Sequence, residues 1–166
     1  DLAKRNNCKV FKAIKLHPEN TDRQQMTLLA LFQYMIGNTD WGVSVNHNIK
    51  HIQQKDEPGF LPYSVPYDFD FCGLVNTDYA IPDPMFNTDN IQERIYRGFA
   101  RTPEELNEVL QIFIQKKEDI FAVIKNFELL NSRNKNSMLS YLESFYTLIN
   151  KPNQVKFIFI DKARKN

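Results

Sequence analysis

GNTDWGVSVNHNIK (Gly37–Lys50) and, after a polar loop, SVPYDFD (Ser64–Asp70) decide how this chain is read. The first stretch sets one acid, Asp40, beside an Asn-rich turn holding Asn46 and Asn48. The second ends a short apolar run in two more acids, Asp68 and Asp70. Carboxylate and amide oxygens are the hard ligands that Mg²⁺ or Mn²⁺ prefers, and Mg²⁺ usually needs only one or two of them beside phosphate oxygens and water. The residue set points to phosphoryl transfer.

Outward from these motifs, Thr21 followed by Gln24 reads as a capping box. Met26 to Ile36 is apolar almost all round, as in a helix buried inside a domain, and Gly37 with Asn38 supplies its C-cap. Residues 1 to 20, basic and polar around Val10, Phe11, Ile14 and Leu16, fit a strand, a short helix or an arm. Val43–Val45 and Ile49–Ile52 read as short strands, residues 53 to 62 as an exposed turn, and Ser64 to Phe71 as the strand that carries the acids. Gly73 to Asn90, with Pro82, Pro84 and several Asn and Asp, predicts an ordered loop, and Ile91 to Tyr96 a short helix. Thr102-Pro103-Glu104-Glu105 is a helix start, followed by Leu106, Val109, Leu110 and Phe113 at helical spacing. Ile120, Val123, Ile124 and Phe127 repeat the pattern, as do Met138, Tyr141, Leu142, Phe145 and Ile149. Residues 153 to 162 fit a terminal helix or a strand, and helix is preferred. The expected architecture is α+β and mainly α, one domain over 1–166: a basic segment at 1–20, a motif-bearing core at 21–100 with a small β-hairpin insert, and a helical bundle at 101–166.

Composition bounds the function classes. With 42% hydrophobic and 25% charged residues among 166, the chain suits one globular domain with a core rather than a disordered or fibrous chain. The 21 basic and 20 acidic residues leave a net charge of +1, so no global field draws in nucleic acid or an anionic membrane. Cys8 and Cys72 lie far apart without a CxxC or Cys/His pattern, against a disulfide scaffold and structural zinc. They leave the compartment open, with the cytoplasm as working expectation. No apolar run approaches the roughly 18 to 20 residues of a membrane span. The chain begins at Asp1 and not at Met, as expected of a trimmed or processed piece of a longer protein.

The order YMIGNTDW, then HNIK, then a hairpin, then PYDFD, then a loop and a helical bundle resembles the C-terminal lobe of the atypical protein-kinase-like fold, most closely the spore-coat CotH-type kinases and their bacterial relatives. In that fold a catalytic-loop Asp orients the acceptor hydroxyl, while an Asn further along and the Asp opening the DFG motif hold metal. The resemblance implies that Asp40 is the catalytic Asp, that Asn48 and Asp68 are metal ligands, and that Asp70 is a second acid where DFG has Gly. It implies Mg²⁺ or Mn²⁺ and ATP as cofactors, and as partners a nucleotide and an acceptor, protein or small molecule. Asn48 follows Asp40 by eight residues where the usual kinase loop leaves five, so Asn46 is a rival. No Gly-rich loop or strand Lys of an N-terminal lobe is present, and Lys9, Lys12 and Lys15 lack the setting for one. The chain thus reads as the C-terminal portion of a kinase-like protein, with an N-terminal lobe as a missing partner.

Each residue also has a plainer reading. An Asp after Asn-Thr commonly caps a turn, and Asp68 or Asp70 can end a strand by accepting backbone N–H bonds. His47 reads as a hydrogen-bonding residue more readily than as a metal ligand, since His17 is distant and His51, four residues on, falls in a segment read as a strand and not a helix. Ser44 has no His/Asp relay. Trp41, Tyr67 and Phe69 are candidate pocket walls or simply core. Arg94 and Arg97 in ERIYRGF are candidate phosphate or substrate contacts, or structural partners of Asp83, Asp89 or the acids near Asp68. Two other functions fit the residues: a non-catalytic kinase-like binding or scaffold domain, and a metal-dependent hydrolase or nucleotidyltransferase, since DxD with a third acid suits both chemistries.

Overall fold

Met26 to Ile36 is the apolar run around which the rest of the chain packs. The computed structural model describes residues 2–56 and 59–165. In chain order it contains α1 (Leu2–Arg5), β1 (Cys8–Phe11), α2 (Arg23–Ile36), β2 (Ile49–Gln54), β3 (Tyr63–Pro66), α3 (Pro103–Gln115), α4 (Lys117–Lys125), α5 (Ser132–Ile149) and α6 (Pro152–Lys156). Short 3₁₀ turns at Pro18–Asn20 and Pro84–Phe86 and a π-helical turn at Phe157–Asp161 complete it. The chain is α+β, with helices predominating over one small sheet. The expected turn at 53 to 62 includes Glu57 and Pro58, which lie outside the described residues.

The cap of α2 differs from the expected one. Asp22, not Thr21, is the N-cap, its carboxylate accepting from the Gln25 N–H at 2.8 Å. Thr21 is fully buried and donates its hydroxyl to the Pro18 carbonyl, so its side chain ends the preceding 3₁₀ turn instead. Gly37 closes the helix in the left-handed conformation at φ 66°, as the sequence predicts. One face of α2, through Leu31, Tyr34 and Met35, joins α3, α4, α5 and the π turn in the main core. Met26, Leu29 and Ala30 pack on Trp41, Val43 and Ile49 in a second cluster. A helix lying between two cores must be apolar on both sides, which is why no polar stripe shows in its sequence.

The expected hairpin is a three-stranded antiparallel sheet of order β1-β2-β3, because Cys8–Phe11 pairs with His51–Gln54. Residues 1 to 20 thus hold a helical turn and an edge strand at once, and the strand needed a partner 40 residues away to declare itself. Val43–Val45 is a turn and not a strand. The strand expected over Ser64 to Phe71 stops at Pro66, opposite Ile49. Proline supplies no further ladder N–H, and Asp68 turns left-handed at φ 63°. The outer side of β3 meets Gln25, whose amide exchanges two hydrogen bonds with the Ser64 backbone and so covers that edge. Ile91–Tyr96 is irregular and not helical.

The bundle begins as predicted: Thr102 and Glu105 form a reciprocal capping box and Pro103 opens α3. In α4 the buried residues are Phe121 and Ile124, while Val123 and Phe127 face outward; α3 and α4 share Lys116 as cap, and the bend there rotates the apolar stripe. Residues 153 to 162 are helical, and Phe159, fully buried, meets the rings of Tyr34 and Tyr96 edge-on at 5.0 and 4.9 Å. Arg101 is a buried charge that ties the 3₁₀ turn to α2: its guanidinium grips both oxygens of Glu19 and donates to Thr27 Oγ1 at 2.8 Å.

Two substitutions test this framework. Gly37→Ala forces a side chain into the left-handed region and against the Tyr141 hydroxyl, and should cost about 2–5 kcal/mol in chemical denaturation. Glu19→Ala strands the Arg101 guanidinium, whose side chain is 2% exposed, and should cost about 3–5 kcal/mol, whereas Arg23→Ala, in a half-exposed pair, should cost under about 1 kcal/mol.

Candidate functional site

Asp40 sits four residues past the end of α2, where the chain is shaped by Asn38. The Asn38 side-chain oxygen accepts the Asp40 N–H at 2.9 Å, and its carbonyl accepts the Trp41 indole N–H at 3.2 Å. Gly42 and His47 then exchange two backbone hydrogen bonds of 2.9 Å and close a tight turn that carries His47 and Asn48 back over Asp40. The eight-residue spacing is absorbed by that turn. Asp40 Oδ1 lies 2.7 Å from His47 Nε2, and Asn48 Nδ2 donates to both Oδ2 and the backbone oxygen of Asp40 at 2.9 Å. Of the two rival asparagines, Asn48 is the one at Asp40. Asn46 instead donates to the Ala13 carbonyl and meets the buried His51 at 2.9 Å. Burial lowers the His51 pKa, which keeps that imidazole neutral inside the sheet.

The second acidic segment is brought to the first by the backbone. Tyr67 N–H donates to the Asn48 carbonyl, Gly73 N–H to Gly37, and Leu74 N–H to Ile36, while Asn38 and Cys72 form an isolated antiparallel bridge. Phe69 packs inward, its ring 5.6 Å from that of Phe32 on α2, while Asp68 is exposed and Asp70 half-buried. Asp70 is held by Tyr79, whose hydroxyl donates to Oδ2 at 3.0 Å, and by Thr77 through its backbone oxygen.

The Asp68 carboxyl is pushed above the ordinary range, first by sharing a hydrogen bond with the Asp70 carboxyl and by that charge, and further by the charge of Asp40. Asp68 is exposed, so the shift reflects crowding of like charges more than burial. Among the described residues no three His, Cys, Asp or Glu side chains are arranged to close on one metal ion. Asp68 and Asp70 are thus adjacent carboxylates, while Asp40 keeps Asn48 and His47 as its partners and acts on Asp68 through its charge.

Arg94 and Arg97 do not pair with Asp83, Asp89 or Asp68. Arg94 stacks on Tyr141 and donates to the carbonyls of Met35 and Tyr141 and to Ser144 Oγ, fastening the end of α2 to α5. Burial lowers its pKa. Arg97 donates to the carbonyls of Thr39 and Trp41, on either side of Asp40. Its role in holding that segment is thus clear, and it lies behind the acids and not among them. Trp41 is buried core, Phe69 is an anchor, and Tyr67 is half exposed on a groove of about 290 Å³ over the open face of the sheet, lined by Val10, Lys50, Ile52 and Val65. Tyr79 and Thr77 went unnoticed in the sequence, since nothing in a Pro- and Asn-rich loop signals which residues fold back onto Asp70. Among the described residues no helix is long and apolar enough to cross a membrane. Comparison of the chain with protein families, with curated proteins and with solved structures finds no match.

Crowding of charge makes a testable stability statement. Because the Asp68 pKa is raised on folding, the folded state holds its proton longer than the unfolded one. The penalty is absent at low pH and grows as pH rises from the unfolded carboxylate pKa through the raised folded value. Asp68→Asn should therefore melt higher than the parent in chelator at neutral pH, helped by the tolerance of Asn for the left-handed conformation. The gap should shrink as pH falls through the carboxylate range, read by melting temperature against pH.

Proposed function

We propose that this chain is a kinase-like, metal- and nucleotide-dependent phosphotransferase, or the C-terminal portion of one. The observation that carries the reading is the backbone pairing that lays the Asp68–Asp70 segment beside the Gly37–Asn48 segment, with Asp68 next to Asp70 and the charge of Asp40, 28 residues earlier in sequence, acting on Asp68. Like charges are brought together at a cost, and a cation with phosphate between them removes it.

In this reading Asp68, Asp70 and Asn48 hold Mg²⁺ or Mn²⁺. The ion's chemistry when bound is to neutralise and orient the phosphate oxygens of ATP. Asp40 orients the acceptor hydroxyl and receives its proton. His47 and Asn48 hold the Asp40 carboxylate in one rotamer, so the base is positioned before the acceptor arrives. The groove over the sheet runs up to Tyr67, the residue before Asp68, and its aliphatic and aromatic side chains would suit a purine ring. Arg97 supports the site from behind through the Thr39 and Trp41 carbonyls, and Arg94 does so through α2.

A second reading, a kinase-like scaffold that keeps the fold without the reaction, is favoured by one observation. Both oxygens of Asp40 already have partners in His47 and Asn48, as expected of a residue that caps a turn.

Thermal denaturation with MgATP or MnATP separates the two. A ligand at about 100 times its dissociation constant adds about 2.7 kcal/mol to the native state, on the order of 5–10 °C for a chain of this size. The phosphotransferase reading expects that shift, and expects its loss in Asp68→Asn. No shift with nucleotide in the parent favours the scaffold. Turnover of a phosphodiester without nucleotide favours a metal-dependent hydrolase.

A further inference from the structure

On the far side of the Asp40 segment lies a pocket of about 190 Å³ that the phosphotransfer reading does not use. Its walls are apolar and aromatic, from Trp41, Val43, Val45 and Phe99, and two guanidinium groups, Arg97 and Arg164, line it as well. Arg97 is half-buried with its charge over the faces of Trp41 and Phe86, at 5.2 and 5.1 Å from their ring centres. Arg164 lies over Phe99 at 4.8 Å.

The charges in this pocket are unbalanced. Among the described residues neither arginine makes an ion pair. Arg97 has only two backbone carbonyls as acceptors, while Arg101, a few residues on, grips both oxygens of Glu19. Burial lowers the Arg97 pKa first, and Arg164 lowers it further, so the two positive charges work against each other, with Asp83 and Asp40 acting only from a distance. Arg97 is disfavoured in the cavity by its own desolvation and by the charge of the exposed Arg164 across it. The planar guanidinium fork is also the side chain best matched to a phosphate or carboxylate.

We propose that this pocket is an oxyanion site, in which Arg97 and Arg164 bind a phosphate group between aromatic and aliphatic walls. Its occupant is either free phosphate or a phosphate carried on an apolar or aromatic body. The site does not depend on the phosphotransfer reading, because none of its lining residues belongs to the acid cluster. It does touch that cluster mechanically: Arg97 holds the carbonyls of Thr39 and Trp41, so an anion on Arg97 bears on the two peptide units flanking Asp40.

Trp41 is the chain's single tryptophan and lines the pocket, so its fluorescence reports occupancy directly. The experiment titrates the whole chain with phenyl phosphate and, separately, inorganic phosphate at constant ionic strength. A saturable change in emission is expected. Arg164→Gln, at an exposed side chain whose backbone pairing with the Phe99 segment is unaffected, should weaken binding about tenfold, as should Arg97→Lys, which keeps the charge and loses the fork. Asp68→Asn should leave the titration unchanged. Tighter binding of phenyl phosphate assigns the site to an anion on an apolar body, and equal binding assigns it to free phosphate. The proposal is overturned by a flat titration, by a change that sodium chloride reproduces at equal ionic strength, by equal affinity in parent and Arg164→Gln, or by loss of the signal in Asp68→Asn. Because this readout uses neither metal nor ATP, its failure is distinct from a failure of the MgATP shift.

Discussion

Three backbone contacts between the end of α2 and the segment after the acids hold the candidate site together: the Asn38–Cys72 bridge, the Gly73 N–H on Gly37, and the Leu74 N–H on Ile36. They form where the helix has already surrendered its last carbonyls, so a second strand of chain satisfies groups that would otherwise be orphaned in the core. Close approach is possible because both partners are glycines. The Tyr141 hydroxyl lies over Gly37 and Gly73 and donates to the Gln92 carbonyl, filling the space that side chains would occupy. Through this crossing the bundle, the loop after the acids and the buried helix share one junction, and the acids project from its edge.

The junction also sets the course of the loop that carries Asp68 and Asp70. Phe69 is sunk against Phe32, Arg94 is fastened to α2 and α5, and Cys72 is fully buried, so the geometry of the acid loop is set by apolar packing and by neutral acceptors. None of those contacts neutralises Asp68. The local charge is left in place by a scaffold strong enough to hold it, a pattern in which stability at a site is spent on pre-organisation. Tyr79, donating to Asp70, spreads part of that charge without cancelling it.

Asp40 stands between two environments of opposite sign. On one side are the acids, and on the other the Arg97 and Arg164 pocket, with the peptide units of Thr39 and Trp41 between them. The segment from Asn38 to Asn48 is held from within, where Asn38 caps it, the Gly42–His47 turn closes it and Asn48 fastens its end to its beginning, and from outside by Arg97, Ala13 and His51.

Local chemistry declared much of this in one dimension. The Thr102–Glu105 box, the left-handed Gly37 cap, the strand from Ile49 and the bundle repeats depend on residues a turn or two apart, and the acids announced themselves by type. What one dimension missed had its cause at long range. β1 became a strand only beside β2, Asp22 displaced Thr21 as cap because Thr21 was needed by the Pro18 turn, and Ser64–Phe71 broke at Pro66 where its partner ended. The choice of Asn48 over Asn46 and the recruitment of Tyr79 likewise needed a folded turn and a returning loop. Residue identity alone determined that carboxylates and amides suited to a hard cation were present. Only the tertiary structure decided that the two segments lie side by side, because the hydrogen bonds from Tyr67 to Asn48 and from Gly73 to Gly37 join stretches whose spacing along the chain carries no trace of it.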